Sequence, residues 1–382
     1  MRPTTEQEVR DAIADAIRSG ATLDIKGGGS KAAIGAPRPE ATVLDLSAIA
    51  GVVDYDPAEL VLTVRPGTPL AEVEALVAER GQRVAFDPFD HGPILGGTAG
   101  AATIGGVVAA GVSGSLRLSG GGARDHLLGL RAVSGRGEVF VAGAKVVKNV
   151  TGYDLPKLAA GSRGRLFAIT EMTLKVLPRA PIAATRAVAG LDPAAAVRLM
   201  AAAMGSQAEV GAAAYLPAAL NHGQSLTLLR LLGFGPSVAA RCRMIETLLG
   251  AHGAAVALDG DEDTACWAAL RTLAPLAGDT CLWRVNVPPS GAPSVVTALE
   301  PLGSRWLFDW AGGLVWIAFD GDAALVRNAA TAAGGHAMLI RAPEALRAAV
   351  PALHPPAPGV AALEERVRRA FDPAGVFETG RF

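Results

Sequence analysis

A glycine loop near the N-terminus, Lys26-Gly27-Gly28-Gly29-Ser30-Lys31, is the first segment whose residues could do chemistry. Successive glycine N–H groups can form a concave nest for an anion, and the lysines add positive charge. Three interpretations compete. The Walker A spacing G-x-x-x-x-G-K-[ST] is absent. A dinucleotide fingerprint is matched formally by Gly27, Gly29 and Ala32, with Asp45 at about the distance of a ribose-binding carboxylate.

The residues after this loop argue against a dinucleotide fingerprint. Residues 33–39, AIGAPRP, contain two prolines and a glycine where a helix should begin. Proline inside a helix costs about 3 kcal/mol. The third interpretation is a glycine-rich turn that binds nothing. The high glycine density between His91 and Arg165 favours a ligand, because it indicates backbone where side chains would be in the way.

The histidines and cysteines predict no metal site. No two of the six histidines have metal-ligand spacing; they are His91, His126, His222, His252, His336 and His354. Cys242, Cys266 and Cys281 are too few and too far apart for an iron–sulfur cluster or a disulfide framework. A reduced, cytoplasmic chain is therefore expected.

Charge and hydropathy exclude two classes of partner. A formal net charge of −1 gives no electrostatic reason to bind nucleic acid. The first twenty residues carry charges throughout and lack the apolar region of a signal peptide. Pro93 to Leu116 is uncharged, but its many glycines make a poor lipid-facing helix, so we expect no membrane span.

The helices and strands predicted around the loop indicate an α+β fold. The N-terminus fits a helix with a capping box at Thr5 and Glu8 and a stop at Gly20. Short strands follow (LDIKG, TVLDL, GVVDY, LVLTVRPG and QRVAF), with one helix, PLAEVEALVAERG. A hairpin is predicted around Asp56-Pro57, and two more hairpin-like segments are LRAVSGRGEVFVAG and GRLFAITEMTLKVLP.

Length and composition predict two domains. A chain of 382 residues exceeds the roughly 250–300 at which a single core stops growing. After about residue 180 the pattern changes to alanine-rich helices such as DPAAAVRLMAAAM, with strands such as SLTLLRLLG, CLWRVNV and LVWIAF between them. We expect one domain at 1–180 and a second, α+β domain at 181–382.

Several motifs in order carry a family resemblance. They are KGGGSK, TIGGVVAAGVSG, RDHLLG, VVKNVTGYDLPKL and GSRGRLFAITEMTLKV, followed by HAMLIR and the terminal LEERVRRAFDPAGVFETGRF. This series resembles flavoproteins of the vanillyl-alcohol oxidase / p-cresol methylhydroxylase (PCMH) type, and among them the FAD-binding subunit of bacterial glycolate oxidase. Two departures are Arg165 and Phe167, where relatives read G-T-L-G, and ETGR at 378–381, where many read N-P-G-R.

The resemblance implies a two-subdomain PCMH-type FAD-binding domain, followed by a cap domain that holds substrate or a subunit interface. It implies that the first glycine loop wraps the FAD pyrophosphate and that later segments line the flavin and adenosine. The implied cofactor residues are Gly27, Gly28, Gly29, Ser30, Lys31, Thr103, Ile104, Gly105, Gly106, Ala110, Gly111, Ser113, Gly161, Ser162, Gly164 and Ile169. Asp154, with Asn149 and Tyr153, is a further candidate near the flavin. No histidine or cysteine occurs in the first ninety residues, so we expect non-covalent FAD, with His91 the only nearby exception.

Oxidation of a small 2-hydroxy acid, glycolate to glyoxylate, is the implied reaction. It needs a cation for the carboxylate and a base for the hydroxyl proton. His336 with Arg341 is the best candidate pair, and Arg284 is a second possible carboxylate clamp.

Relatives that oxidise 2-hydroxy acids carry histidine-rich metal motifs in their second domain, which this chain does not show. That difference favours a sister flavoprotein subunit with the main substrate site, and iron–sulfur centres on a third subunit. Two alternatives stay open: a free-standing FAD-linked oxidase of another alcohol or sugar acid, and a scaffold subunit without cofactor.

Overall fold

The computed structural model describes residues 1–143 and 153–382. Two units form: unit 1 contains Met1–Ser113, Gly121–Arg179 and Pro355–Phe382, and unit 2 contains Gly114–Gly120 and Ala180–His354. The predicted motif VVKNVTG and Asn149 lie outside the described residues.

Unit 1 pairs strands in two sheets. Its helices, numbered in chain order, are α1 (Glu6–Ser19), α2 (Leu70–Ala78), α3 (Ile104–Ala110), α5 (Ala123–His126), α6 (Leu155–Ala159) and α13 (Pro358–Phe371). Its strands are β1 (Leu23–Lys26), β2 (Thr42–Asp45), β3 (Val52–Asp56), β4 (Val61–Val64), β5 (Gln82–Val84), β6 (Leu127–Ser134), β7 (Val139–Gly143) and β8 (Phe167–Pro178). β1 and β2 pair in parallel, and the second sheet runs β3-β4-β8-β6-β7, with β5 also on β8.

Unit 2 is built on one antiparallel sheet in the order β12-β9-β11-β10-β14-β15-β13-β16. Its strands are β9 (Ile182–Ala189), β10 (Ala212–Leu216), β11 (Leu226–Gly233), β12 (Val256–Asp259), β13 (Leu282–Asn286), β14 (Arg305–Asp309), β15 (Leu314–Ala318) and β16 (His336–Arg341). Its helices are α4 (Arg117–Gly120), α7 (Pro193–Met204), α8 (Gly235–Leu249), α9 (Asp261–Arg271), α10 (Ala292–Leu299), α11 (Ala323–Ala332) and α12 (Glu344–Ala349). A single apolar core joins α7, α8, α10 and α11 to the sheet.

The predicted N-terminal helix is confirmed in detail. The Thr5 hydroxyl accepts a hydrogen bond from the N–H of Glu8, and Gly20 ends α1 with φ of 69°. The Glu8 carboxylate accepts from the N–H of Thr4, at 2.6 Å, which is one residue earlier than an ideal capping box. Val9 and Ile13 are buried against β1 and β2, so α1 is held by its apolar face.

Two hairpin predictions are confirmed and one is wrong. β3 pairs with β4, and β6 with β7, in antiparallel register. The third segment, GRLFAITEMTLKVLP, is not a hairpin but contains the single twelve-residue strand β8. Nothing between Phe167 and Leu177 can turn the chain, and both neighbours of β8 pair along this run.

The single predicted boundary near residue 180 needs correction. The break between Arg179 and Ala180 lies where the composition changes, but residues 114–120 belong to unit 2, and residues 355–382 belong to unit 1 and not to the second domain. Val376 and Phe377 are buried in the core of unit 1 with Val9 and Ile13. Burial of this apolar pair therefore returns the C-terminus to the first unit.

The uncharged stretch Pro93 to Leu116 contains a short 3₁₀ turn, Pro93–Leu95, and the seven-residue helix α3. Within 1–143 and 153–382, no helix combines the length and the apolar character needed to cross a bilayer.

Candidate functional site

The glycine loop leaves β1 and forms one wall of a cavity in unit 1. This cavity has a volume of about 320 Å³ and is also lined by α3, by residues 162–169 and by the C-terminal Arg381 and Phe382. The wall has an apolar part as well as a polar one, because Val43, Leu46 and Ile169 line the same cavity.

The glycines are needed for packing as well as for ligand approach. A Cβ on Gly27 would lie 2.3 Å from the Thr103 Oγ1, and one on Gly28 would lie 1.7 Å from the Ala101 carbonyl oxygen. Gly29 has φ of +80°, a conformation that disfavours other residues. The loop therefore touches the segment before α3 directly, and glycine is what allows this contact.

α3 begins at the same place. Thr103 caps it by accepting a hydrogen bond from the N–H of Gly106 at 3.3 Å. A Cβ on Gly105 would lie 2.5 Å from the Pro66 Cβ, so this helix also packs at backbone distance. Two glycine-rich segments that are far apart in sequence thus meet at Thr103.

Most of the predicted cofactor residues lie in this cavity wall. Those that line it are Gly27, Gly28, Gly29, Ser30, Lys31, Thr103, Gly105, Gly106, Ala110, Ser162, Gly164 and Ile169. Outside the wall are Ile104, Gly111, Ser113, Asp154 and Gly161. Ile104 is fully buried, and the Gly111 and Gly161 backbones pack together, with 3.4 Å between a Cβ built on Gly111 and the Gly161 Cα. Asp154 caps α6 and pairs with Lys157 at 2.8 Å.

The cavity wall is positively charged. Among its described residues, Asp24 is the one acidic side chain, and it faces five basic ones: Lys26, Lys31, Arg38, Arg163 and Arg381. Burial lowers the pKa of Lys31 to about 8; the nearby charge of Asp90 opposes this shift and that of Arg163 adds to it. Burial, with the charge of Arg381, lowers the pKa of Arg163 to about 10.

Because burial lowers both pKa values, keeping Lys31 and Arg163 protonated in this wall costs free energy. A bound anion would reduce that free-energy cost. Glycine N–H groups, concentrated cations and an apolar extension are the features that a dinucleotide with a diphosphate centre requires. The residues present therefore fit FAD.

Sequence reasoning missed Arg163, Arg38, Arg381 and Phe382 as cavity residues. The one local signal for Arg163 was its position between two predicted contacts, Ser162 and Gly164, but its burial is not visible in the sequence. Arg381 and Phe382 gave no local signal. They reach the cavity because the C-terminal segment folds back onto unit 1.

The catalytic candidates lie in unit 2, on β13 and β16. His336 and Arg341 stand at opposite ends of β16, paired with Asn286 and Leu282 respectively. Arg284 pairs with Met338, two residues from His336 on the same face. Burial, followed by the charges of Arg284 and His354, lowers the pKa of His336. The structure thus brings His336 close to Arg284 and separates it from Arg341.

Arg341 lies in a different environment. Its guanidinium donates to the Leu276 carbonyl oxygen at 2.8 Å, and burial lowers its pKa against the raising charges of Asp279, Cys281 and Asp320.

A second arginine shares the aromatic neighbour of Arg284. The guanidinium carbons of Arg117 and Arg284 lie 5.1 and 5.2 Å from the Trp310 ring centre. Trp310 and the next residue, Ala311, have positive φ values of 53° and 55°. The Trp310 indole N–H donates to the Gly114 carbonyl oxygen, which fixes the ring. Strained non-glycine backbone of this kind concentrates at functional sites.

In the described parts of the chain, the cysteines and the possible metal ligands do not cluster. Cys242, Cys266 and Cys281 are free thiols in unit 2, and burial raises the pKa of each. No group of three or more His, Cys, Asp or Glu in residues 1–143 and 153–382 is arranged to hold a metal ion. His91 is buried and stacks on Phe89, with ring centres 4.5 Å apart.

Comparison with known proteins defines the class. Residues 1–143 match the family model described as an FAD binding domain. The fold is that of p-cresol methylhydroxylase, whose structure superposes with a TM-score of 0.73 at 15% identity, over 100% of this chain and 88% of that one. The chain is therefore a flavoprotein of the PCMH-type fold, and FAD is its cofactor.

The more specific relationship comes from sequence. The glycolate oxidase subunit GlcE of Escherichia coli K12 is 32% identical in an alignment of 381 residues that covers 98% of this chain and 96% of that protein. Glycolate oxidase subunit GlcD of Bacillus subtilis is 32% identical over 128 residues, covering 34% of this chain and 26% of that protein. The chain belongs to the family of glycolate oxidase subunit GlcE, and it is an FAD-dependent oxidoreductase subunit.

Proposed function

We propose that this chain is one subunit of a multi-subunit dehydrogenase that oxidises a small 2-hydroxy acid, glycolate to glyoxylate. The observation that carries the proposal is the 32% identity to GlcE over 98% of the chain. A match over 98% of the chain must include most of both units.

The cavity of unit 1 would hold FAD without a covalent bond. The loop Gly27 to Lys31 supplies N–H groups for the diphosphate, and Lys31 and Arg163 supply its counter-charges. Val43, Leu46 and Ile169 offer apolar surface to the cofactor rings. Ile104, Gly111 and Gly161 would shape the wall from behind, while roles for Ser113 and Asp154 stay predictions.

FAD, when bound, supplies the two-electron acceptor for the oxidation. The chain's own residues must hold the substrate carboxylate and take the hydroxyl proton. We assign these tasks to Arg284 and His336, because both lie on one face of β13 and β16. The lowered pKa of His336 leaves its ring neutral at pH 7 and able to accept a proton. Arg341 fits this role less well, because it stands at the other end of β16.

The partners are a sister flavoprotein subunit and an iron–sulfur subunit. The subunit names of the relatives and the missing histidine-rich motif in the second half of this chain support the sister subunit. The iron–sulfur subunit is what the family resemblance implies. In this arrangement Arg284 and His336 form the substrate site of this chain, and the sister subunit contributes a second flavin. We propose a cytoplasmic location, consistent with three free cysteines.

Gel filtration of a native lysate tests the proposal against a free-standing oxidase. Glycolate-dependent dye reduction should elute well above the monomer mass of 38.8 kDa, together with this chain. Activity that elutes with the monomer alone would support a free-standing oxidase. A purified complex that turns over glycolate with no flavin on this chain would instead support a scaffold.

A further inference from the structure

The side chain of Arg381 ties the C-terminus to the glycine loop. Its Nε donates to the Ile34 carbonyl oxygen at 2.9 Å, and its Nη2 donates to those of Lys31 and Ala32 at 3.0 and 2.7 Å. Its Nη1 pairs with the Asp24 carboxylate at 2.7 Å. One guanidinium thus holds the backbone of Lys31, Ala32 and Ile34, after the three glycines, and the side chain of Asp24 in β1.

The surrounding backbone is built to receive this side chain. The Ala36 N–H donates to the Arg381 carbonyl oxygen at 3.0 Å, and Gly35 has φ of +86°. A Cβ on Gly35 would lie 2.6 Å from that same oxygen. Arg38 in turn donates to the Gly380 carbonyl oxygen. The loop and the C-terminal segment therefore contact each other through the carbonyl groups of Gly380 and Arg381.

The contact also neutralises the acidic charge of Asp24 in the cavity wall. Asp24 is the one acidic group among the described residues of the wall, and Arg381 neutralises it. The three carbonyl oxygens carry partial negative charge, and Arg381 engages them too. Without this guanidinium, a carboxylate and three carbonyl dipoles would stand unbalanced beside the site of a diphosphate.

We infer that Arg381 is a positioning residue for the cofactor: it fixes the loop after Gly29 and cancels the charge of Asp24, so that the cavity accepts a diphosphate. The inference rests on the proposed placement of FAD in this cavity. It does not require Arg381 to touch FAD.

Binding measurements on the purified, FAD-depleted chain test this role. Arg381→Met should weaken the binding of both FAD and ADP by about tenfold or more, since hydrogen bonds to charged groups are stronger than those between neutral groups. Arg381→Lys, which keeps the charge but not the planar fork, should recover part of the loss. Asp24→Asn added to Arg381→Met should also recover part of it, because it removes the uncompensated carboxylate.

Arg136→Met is the matched control. Arg136 donates to the Ala370 carbonyl oxygen at 3.0 Å and so holds the same C-terminal region without contacting the loop. Its FAD affinity should stay within about twofold of the parent chain. The Tm of each cofactor-free variant separates loss of the fold from loss of binding.

The inference is overturned if Arg381→Met keeps its FAD affinity. It is also overturned if Asp24→Asn gives no recovery in that background, or if Arg136→Met loses affinity equally. Lys31→Met and Arg163→Met identify which claim has failed. If these two also leave FAD affinity unchanged, the placement of FAD is wrong as well; if they weaken it, only the role of Arg381 is wrong.

Discussion

At the scale of residues, the buried surroundings of Lys31 disfavour the charged form of its side chain. Its Nζ has the Ser30 hydroxyl at 3.3 Å, and burial lowers its pKa to about 8. A bound diphosphate would stabilise the protonated form and raise this pKa again.

The affinity for FAD should therefore depend on pH through Lys31. Below about pH 8 the lysine is protonated with or without FAD, so affinity is flat. Above pH 8 the free chain loses the proton and binding must restore it, so affinity falls by up to about tenfold per pH unit. Fluorescence titrations from pH 6.5 to 9.5 measure this. Lys31→Met should bind more weakly with a flat profile, and Lys175→Met, outside the wall, should keep the slope. A parent profile that is flat through pH 9 would refute the assignment.

Gly28→Ala tests the backbone contact of the loop. The new Cβ would lie 1.7 Å from the Ala101 carbonyl oxygen, so one of the two segments must move. We expect a loss of about 1–3 kcal/mol in unfolding free energy and weaker FAD binding. Gly359→Ala, in α13 with nothing within 4 Å, should be neutral or stabilising. Equal behaviour of the two variants in thermal melts would contradict the packing account.

The sequence predicted the glycine part of the site and not its charges. KGGGSK and TIGGVVAAG are local patterns, so they are visible without a structure. Arg381 acts across 357 residues on Asp24, and no local pattern reports such a pairing. The role of Arg163 was missed for a different reason: an arginine beside glycines is usually an exposed side chain, and only the fold shows that this one is half-buried.

At the scale of elements, the pairing of β13 with β16 changes which residues can act together. The motif HAMLIR predicted a pair of His336 and Arg341, but five steps along a strand separate them by about 16 Å. Strand pairing places Arg284 opposite Met338, which is two residues from His336 on the same face. The register of β13 with β16, which cannot be derived from the sequence, therefore determines that Arg284 and not Arg341 lies near His336.

His336→Gln should lower glycolate oxidation by the assembled enzyme by about 10²–10⁴-fold if His336 is the base. Because its pKa lies below the usual 6.5, parent activity should rise with pH and level off before neutrality. The variant should lose this rise. His252→Gln, in an exposed turn, should keep both rate and profile. An unchanged pH profile in His336→Gln would remove His336 from the reaction.

A buried polar network fastens α9 to the sheet of unit 2. Asp263, 1% exposed, accepts from the Thr185 hydroxyl at 2.6 Å and pairs with Arg230 at 2.7 Å. The Trp267 indole N–H donates to the same hydroxyl. The network joins α9 to β9 and β11.

Asp263→Ala should cost about 3–5 kcal/mol of unfolding free energy, because it leaves Arg230 buried without its carboxylate. Urea unfolding followed by tryptophan fluorescence measures the loss in unit 2. Glu365→Ala, which breaks the exposed pair with Arg369, should cost no more than about 1 kcal/mol. A loss below 1 kcal/mol in Asp263→Ala would show that the network contributes little.

At the scale of the whole molecule, the chain enters the main part of unit 2 after Arg179 and returns to unit 1 at Pro355. Composition predicted the departure, because alanine-rich helices follow residue 180. Composition could not predict the return to unit 1, since Val376 and Phe377 are only two adjacent apolar residues in a segment with many charges. The return nevertheless completes the cavity, as Arg381 and Phe382 form part of its wall.

The absorption spectrum of the purified chain, taken before and after acid precipitation, tests the central claim of a non-covalent FAD subunit most directly. The account predicts a flavin spectrum that moves entirely into the supernatant as free FAD. A chain that stays colourless after incubation with FAD, or flavin that remains in the precipitated protein, would contradict it.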